Sequence, residues 1–430
     1  MKLAIVTPVA RSSAISAISS VIIRGLTLDG HHVAVIASES VVHTPDQVLE
    51  FPSSPVHFSS PDAHETLATS DVVVYQVSNH YPDHEGAITL LDLFPGVVCL
   101  HDFFLGDLFA GWAARNRLAA DDVLDRWYGS RVQQRFWKWQ RDPSGLAEAV
   151  ASAPMTEWIC SKAVAVFTHS GWGIERVLGS CPGSVWSFPL CHPKTLPAAR
   201  DMHVASMNDH VRRRVILTFG HIVINKCVEV VIDAIGWNRD LMEAITYRVV
   251  GPVATEYRHS LADRATKRGV RIEFTGEVTD DQLMDEIARA DVVVALRWPA
   301  TAAASASVIE ALWSGKPTVV TDTGWYRELP DDVVYKISVA GGPKELSDRI
   351  RSLLLHTDTN DRQHLARMQF AHTHFNCDTY YQNVQQFITN IYPSILTQNA
   401  MRIVIHPLRE WQVCSKTINV PQSWKIFSHI

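Results

Sequence analysis

This sequence predicts an α/β fold with two doubly wound domains in tandem. Each domain is expected to have a parallel sheet covered on both faces. Short apolar runs rich in β-branched residues alternate with stretches of helical periodicity over most of the chain. This alternation is typical of parallel sheets that are buried on both sides. It breaks between residues 190 and 214 and then restarts, and the length of 430 residues suits two or three domains.

The first half opens with a run that is apolar on both faces and ends before Pro8, followed by a stretch in which isoleucine and leucine recur at helical spacing and which stops at Gly30. Buried strands are predicted at 3–7, 32–37, 72–77, 97–100 and 164–168, with the first helix at 15–28. We predict a first domain over residues 1–195. Pro193 and Pro197 lie in the break, so a linker is predicted over 196–214.

The second half repeats the rhythm. Strands are predicted at 215–219, 247–250, 272–274, 292–296 and 318–321, with helices at 228–235, 255–268, 279–289 and from about 305. We predict a second domain over 215–375 and a C-terminal helix over 376–398 that returns to the first domain. Residues 399–430 show no clear periodicity and stay unassigned.

Composition narrows the class of protein. Apolar residues make up 47% and charged residues 20%, which is unlike a disordered chain. Lys and Arg number 39 against 45 Asp and Glu, so the whole chain is no general polyanion binder. No apolar run reaches the roughly 18 residues of a membrane span, and the N-terminus suggests a strand rather than a signal peptide. The seven cysteines form no CxxC pair, so a reducing cytoplasm is expected.

One candidate site lies where a loop of small residues opens a helix. Residues 301–305 precede a helix that carries Glu310 and ends at a Gly-Lys-Pro stop. Small residues at a helix start let a phosphate approach free backbone N–H groups, and the helix dipole favours its charge. Glu310 is suited to accept hydrogen bonds from ribose hydroxyls. An ordinary amphipathic helix with a solvated glutamate explains the pattern equally well.

A second candidate lies after the first strand of the second domain. Gly220 ends this strand at its carboxyl edge, where open α/β sheets bind ligands. Lys226 precedes an apolar helix and could reach a diphosphate as a point charge, and His221 could donate another hydrogen bond. A merely solvated Lys226 is the competing interpretation.

Taken as an ordered set, these motifs resemble the nucleotide-sugar half of a GT-B glycosyltransferase of the retaining family 4 type. The resemblance implies a diphosphate site whose members are Gly220, His221, Lys226, Ala302, Ala303, Ala304 and Ser305. It also implies a nucleoside site, made of Gly251, Gly276, Val278 and Glu310.

The resemblance extends to the first half, and in all it covers roughly residues 1 to 390. The stretches 75–79 and 95–105 are similar to the acceptor half of bacterial members, in which a histidine at a strand end faces the reaction centre. His101 matches that catalytic histidine, although a histidine that only caps the strand would give the same pattern. The acceptor side implied by the resemblance comprises Ser12, Ser13, Asn79, His84 and Asp102.

The sequence departs from the family pattern at three places. The first glutamate of the E-x7-E motif falls at Ala302 or Ala303, so only Glu310 remains. An arginine common after the strand glycine is replaced by His221. The loop at residues 10–14 lacks the usual glycines. Backbone N–H groups of 301–305 can still cradle phosphate, since that needs no side chain.

The resemblance implies transfer of a sugar from a nucleoside diphosphate to an acceptor hydroxyl with retention, in polysaccharide or glycoconjugate biosynthesis. The chain has no D-x-D motif, so we expect no metal and no cofactor. The expected partners are a nucleotide-sugar donor and a saccharide or lipid-linked acceptor. A catalytically weak relative that binds nucleotide sugars as a scaffold subunit is the alternative, and an epimerase ranks last.

The glycines at 171 and 173 do not form a dinucleotide-binding G-x-G-x-x-G motif, because Arg176 takes the third glycine position.

The segment from Arg126 to Arg141 combines basic and aromatic side chains without a carboxylate. Such a helix suits an anionic membrane surface, which would make the protein peripheral on the inner membrane face. A helix that packs its aromatic side chains on the first domain is the competing interpretation. No nucleic-acid-binding module accompanies the segment, so nucleic acid is not expected as a partner.

Overall fold

The computed structural model describes residues 1–193, 213–355 and 360–410, and these residues form two parallel-sheet α/β domains. The predicted fold class is therefore confirmed. The first sheet has seven parallel strands: Lys2–Thr7 (β1), His32–Ala37 (β2), Val56–His57 (β3), Val72–Val77 (β4), Val97–Leu100 (β5), Ala165–Thr168 (β6) and Val185–Ser187 (β7).

Nine helices pack on this sheet or extend from it in the described part of the first domain. They are Ala14–Leu28 (α1), Pro61–Ala68 (α2), Tyr81–Leu93 (α3), Gly106–Ala113 (α4), Arg117–Tyr128 (α5), Ser130–Arg141 (α6), Leu146–Ser152 (α7), Thr156–Cys160 (α8) and Ile174–Ser180 (α9).

The second sheet has six parallel strands: Arg214–Phe219 (β8), Ile245–Val250 (β9), Ile272–Gly276 (β10), Val292–Ala295 (β11), Thr318–Thr321 (β12) and Tyr335–Ile337 (β13). The helices that follow its strands are Val228–Gly236 (α10), Arg239–Ala244 (α11), Thr255–Arg268 (α12), Asp280–Arg289 (α13), Ala306–Trp313 (α14) and Gly342–Leu355 (α15). Asn360–His374 (α16) and Cys377–Glu410 (α17) complete the described chain.

The two sheets share one strand order, except that the first has an additional edge strand, β7. The first runs β3-β2-β1-β4-β5-β6-β7 and the second runs β10-β9-β8-β11-β12-β13. In each, the chain reverses its direction of winding beside the first strand, between β1 and β4 and between β8 and β11. Ligands of open α/β sheets bind outside the carboxyl ends of the strands at such switch points.

The last helix ties the end of the described chain to its beginning. Tyr381 of α17 donates a hydrogen bond to the carboxylate of Asp29, 2.5 Å away, at the end of α1. A Cβ on Gly25 of α1 would lie 2.4 Å from the Tyr381 ring, so the absence of a side chain lets the helices approach. Phe387 is fully buried against Phe167 of β6.

The observed elements add to or differ from the predictions at three places. Most of the predicted linker lies outside the described residues, and Arg214 already belongs to β8. Helix α17 continues past residue 398 to Glu410. The basic and aromatic segment forms two helices, α5 and α6, because Gly129 between them has a φ of +78°. No helix among the described residues is both long and apolar enough to cross a membrane.

Candidate functional site

A tight turn after β8 lies at the switch point of the second sheet. Gly220 has a φ of +88°, a conformation that favours glycine. A Cβ there would lie 2.9 Å from Lys226 Nζ and 3.1 Å from Ser307 Oγ. The glycine therefore lets a lysine from one loop and a serine from the first turn of α14 converge on the end of β8.

Lys226 is nearly fully buried at this turn. Its ammonium group donates a hydrogen bond to the backbone carbonyl of Phe219, which also accepts a hydrogen bond of 3.4 Å from Ser307. Burial, reinforced by the positive charge of Arg297, holds the pKa of Lys226 well below its usual range. Removed from water and facing a cation, this ammonium is well placed to gain from an anionic ligand.

The loop before α14 faces the same place. Ser305 precedes the first helical residue and makes no side-chain cap hydrogen bond. Ala303 and Ser305 are buried, whereas Ala302 and Ala304 are partly exposed. Ser307, in the first turn of this helix, and Lys226 both donate to the carbonyl of Phe219, so Lys226 lies near the start of the helix that carries Glu310. His221, in contrast, is exposed.

The predicted nucleoside residues line up along the neighbouring strand ends. Gly251 donates its N–H to the carbonyl of Gly276 at 2.9 Å, and a Cβ on Gly251 would come within 2.3 Å of the Gly220 carbonyl oxygen. No atom would lie within 4 Å of a Cβ on Gly276, so that side is open. Val278 is partly buried, and Glu310 is buried on α14.

The two domains are joined directly beside this turn. The N–H groups of Phe103 and Phe104 both donate to the carbonyl of Thr301, at 2.9 and 3.0 Å, and the N–H of Ala303 donates to the carbonyl of His101 at 2.9 Å. Asp102 and Ala302 thus face each other as a short antiparallel bridge. The loop after β5 is therefore held against the loop that opens α14.

Asp102 carries an acidic group into this junction. Its carboxylate accepts a hydrogen bond of 2.9 Å from the N–H of Asn79. Burial raises the pKa of Asp102 to about 6, helped by the nearby Asp107, while the Asn79 hydrogen bond and Arg297 oppose the shift. A carboxyl group with a raised pKa therefore lies opposite Ala302, where the E-x7-E pattern would place its first glutamate.

His101 points its ring into the first domain. Its Nε2 lies 2.7 Å from the Gln76 amide oxygen, and its Nδ1 lies 3.2 Å from Nε2 of His169. Burial lowers the pKa of His101 well below its usual range, and the nearby His169 adds to the effect. The ring is thus neutral at physiological pH and held by a buried network.

The other predicted acceptor-side residues lie near the carboxyl ends of β1 and β4. Ser12 is exposed, and Ser13 caps α1 by accepting from the N–H of Ser16 at 3.4 Å. Asn79 caps α4 by accepting from the N–H of Asp107 at 2.8 Å. His84 is fully buried, with Nε2 2.7 Å from the Ser78 hydroxyl, and burial lowers its pKa to about 4. The His84 ring therefore belongs to the interior.

Sequence reasoning missed a pocket beside Ser12. It has a volume of about 600 Å³ and lies at the carboxyl ends of β1 and β2. Its lining is mostly apolar, with Arg11, His43 and Glu50 among the polar members. The loop between β2 and β3 supplies most of the wall and has no strong periodicity that would have predicted it.

Two further residues of the junction were also missed. Ser307 lies beside Gly220. The position of Ser307 in the first turn of α14 is the signal that could have predicted this contact. Glu328 accepts a hydrogen bond of 3.2 Å from the N–H of Gly171 across the domains, and burial raises its pKa. No sequence pattern relates two residues that are so far apart.

The basic and aromatic segment packs largely as an ordinary surface helix pair. Phe136 and Trp139 are buried, and Trp137 is 6.1 Å from Phe109 in a stacked geometry. The basic side chains Arg126, Arg131, Arg135 and Lys138 are exposed, and Arg135 pairs with Glu148 at 3.1 Å. Most of the aromatic surface is therefore used inside the first domain.

Comparisons with known proteins give a family match for part of the chain. Residues 204–368 match the family model described as Glycosyl transferases group 1. No curated protein sequence matches the chain significantly. The match to the family model covers the second domain, in which the glycine turns, Lys226 and Glu310 lie.

Solved structures of similar fold include sucrose-phosphate synthase from Thermosynechococcus elongatus, with a TM-score of 0.64 and 14% identity over 92% of this chain and 100% of that one. Anabaena HepE in complex with UDP-glucose has a TM-score of 0.58 and 16% identity, over 91% of this chain and 100% of that one. WaaG, a glycosyltransferase involved in lipopolysaccharide biosynthesis, has a TM-score of 0.56 and 16% identity, over 89% of this chain and 98% of that one. The architecture is thus the GT-B fold, with a Glycosyl transferases group 1 match in its second domain.

The acidity of Asp102 gives a prediction on stability. Because its pKa is about 6 in the folded protein and 3.8 in its ordinary state, the folded state favours the protonated form. The associated stabilisation is full below about pH 4 and is lost as the pH rises through about 6. Asp102→Asn cannot ionise, so its stability relative to the parent should rise by about 1–3 kcal/mol between pH 4 and pH 7.

Urea unfolding at the two pH values, followed by tryptophan fluorescence, measures this difference. Asp122→Asn, at an exposed position of α5, is the matched control and should show a much smaller change. An equal change in both variants would contradict the environment described for Asp102.

Proposed function

We propose that this protein is a retaining glycosyltransferase that transfers a sugar from a nucleoside-diphosphate sugar to an acceptor hydroxyl. The observation that carries the proposal is the convergence of Gly220, Lys226 and Ser307 at the start of α14. This convergence lies at the switch point of a sheet that matches a glycosyltransferase model. The nucleotide complexes of the structurally similar HepE support a UDP-sugar as the first donor to try.

The electrostatics of the site fit a leaving diphosphate. Negative charge builds up on the diphosphate as the bond to the sugar breaks, and preorganised cations and N–H groups stabilise that charge most in a water-poor site. Lys226 and Arg297 supply the cations, and the N–H groups of residues 304–306 supply the helix-start donors. Since two cations and these N–H groups are available to a diphosphate, we propose that it is bound without a metal ion.

The junction between the domains positions the reacting sugar. We propose that the sugar lies at the edge of this junction, beside the 301–305 loop and the loop after β5, next to His101 and Asp102. The His101 ring faces Gln76 and His169 in this conformation, so its contact with the donor requires rotation about Cα–Cβ. The pocket of about 600 Å³ beyond Ser12 is the proposed acceptor region, and its apolar lining suits an acceptor with an apolar portion.

We also propose that the protein acts in polysaccharide or glycoconjugate biosynthesis in the cytoplasm. Exposed Arg126, Arg131 and Lys138 would let it bind the anionic inner face of a membrane, where lipid-linked acceptors are found.

A catalytically weak relative that binds nucleotide sugars is the second candidate. The observation in its favour is the pair Ala302 and Ala303, which puts no carboxylate on the loop facing Asp102. Such a protein would keep the diphosphate cradle, which relies on backbone groups and Lys226.

A donor panel separates the two candidates. UDP-, GDP-, ADP- and TDP-sugars are first tested by thermal shift, since a ligand that binds the folded state stabilises it. Nucleotide release from the tightest donor, with and without an acceptor mixture, then measures turnover. Binding with turnover supports the transferase, binding without any turnover supports the weak relative, and no binding by any donor contradicts both.

Lys226 gives a prediction on affinity and its pH dependence. Loss of its charge in Lys226→Met should weaken UDP-glucose binding by about 1.5–3 kcal/mol. The low pKa of Lys226 in the free protein should rise next to a diphosphate, so binding takes up a proton between the two pKa values. Affinity should therefore fall as the pH rises through that range, by up to about tenfold per unit.

Isothermal titration calorimetry across this range tests both points. Lys267→Met, an exposed lysine in the same domain, should keep the affinity and the pH slope of the parent. A folded Lys226→Met variant with unchanged affinity would remove the diphosphate role.

Glu310 gives a prediction on a different part of the donor. If its carboxylate binds the ribose hydroxyls, Glu310→Gln should weaken both uridine and UDP by about tenfold, in line with hydrogen bonds to charged groups. Pyrophosphate binding should stay unchanged. Lys226→Met should show the opposite pattern, with lower affinity for pyrophosphate and unchanged affinity for uridine. Equal affinities for uridine in the parent and in Glu310→Gln would disprove the ribose contact.

A further inference from the structure

A buried group of metal-ligating side chains lies directly beneath the junction of the domains. Cys99 belongs to β5, His101 follows it, and His169 follows β6. Cys99 pairs with Gln76 of β4, and Leu100 with Thr168 of β6. The carboxyl ends of two adjacent strands, β5 and β6, therefore bring these three side chains together, and Gln76 lies beside them on β4.

The distances between these side chains suit a shared ion. Nε2 of His169 is 3.5 Å from Cys99 Sγ and 3.2 Å from Nδ1 of His101. One ligand atom from each residue lies within 4.8 Å of the other two. Tetrahedral zinc, with bonds of about 2.3 Å to sulfur and about 2.0–2.1 Å to nitrogen, places its ligands about 3.3–3.6 Å apart.

The surroundings provide the outer contacts of such a site. The Gln76 amide oxygen, 2.7 Å from Nε2 of His101, can accept its N–H and leave Nδ1 to face the ion. Ligating histidines usually donate their second N–H in this way. The buried Gln76 Nε2 has no hydrogen-bond partner among the described residues. The Tyr380 hydroxyl lies beside the Cys99 thiol without a hydrogen bond of ordinary geometry and is a candidate fourth ligand.

One member of the group borders a pocket. His169 also lines a pocket of about 300 Å³ between the domains, together with Glu328 and His374.

We propose that Cys99, His101 and His169 form a binding site for a zinc-type transition-metal ion. One thiolate and two imidazoles are ligands for Zn²⁺ or Co²⁺ rather than for Mg²⁺ or Ca²⁺. Binding forms one metal–sulfur bond and two metal–nitrogen bonds, and the thiol proton of Cys99 leaves to solvent. The bound ion joins β5 to β6 and keeps the His101 ring directed away from the donor.

Cobalt(II) is the probe that tests the site, because a thiolate ligand gives a charge-transfer band that oxygen ligands do not. The full chain, stripped with a chelator, is titrated with Co²⁺ and then with Zn²⁺ in competition. We expect one equivalent of Co²⁺, tetrahedral absorption with a thiolate band, and displacement by Zn²⁺.

Variants assign the band to these residues. Cys99→Ser should abolish the thiolate band. Gln76→Leu should lower the affinity for the metal by about 10–100-fold, as expected for loss of an outer-shell partner. Cys160→Ser, at another fully buried cysteine of the first domain, should leave it unchanged. A band retained in folded Cys99→Ser, or no band in the parent, overturns the proposal.

X-ray absorption of the zinc-loaded parent keeps the test decisive if Cys99→Ser does not fold. One sulfur and at least two imidazole nitrogens around the zinc support the site. A shell of oxygen ligands only overturns it. Neither measurement depends on glycosyl transfer, so the proposed function and the metal site can fail separately.

Discussion

The backbone hydrogen bonds between residues 101–104 and 301–303 are the constraint on which the rest of this structure depends. They join the loop after β5 of one sheet to the loop after β11 of the other. Because these bonds use main-chain groups, they fix the spacing of the two sheet edges without specifying side chains. The carboxyl ends of both parallel sheets are thereby directed toward one region, and the candidate functional groups lie there.

Burial of charged groups at this junction shapes its chemistry. Lys226 has a carbonyl and another cation for neighbours, and Asp102 has a second carboxylate nearby. In both cases burial disfavours the ionised form. The positive charge of Arg297 favours the ionised form of Asp102 and further disfavours that of Lys226. Perturbed pKa values of this kind concentrate at functional sites. An anionic ligand would reverse the imbalance at Lys226, which is why the diphosphate role fits the lysine well.

The same arrangement explains how two sites can adjoin. The phosphate cradle uses a helix start and a glycine turn in the second domain, whereas the proposed metal site uses strand ends in the first. His101 belongs to both regions, since its carbonyl bonds to Ala303 and its ring faces His169. The orientation of one side chain therefore links the interior of the first domain to the cleft.

The sequence by itself determined the local elements and the class of fold. Continuous apolar strands and periodic helices predicted strands such as 32–37 and helices such as 255–268 at their observed bounds, because local hydrophobic patterning dictates which segments can be buried. It also singled out Gly220, Lys226 and the residues before α14, since a glycine at a strand end and small residues at a helix start have local signatures.

The tertiary structure alone decided how distant residues meet. It brought Lys226 to Ser307, Asp102 opposite Ala302, and Cys99 to His169, and it buried His84 where the sequence predicted an acceptor-facing group. Side-chain direction at a loop or a helix kink depends on packing against other elements. Non-local contacts of this kind leave no periodic trace in the chain, so only the assembled sheets could fix them.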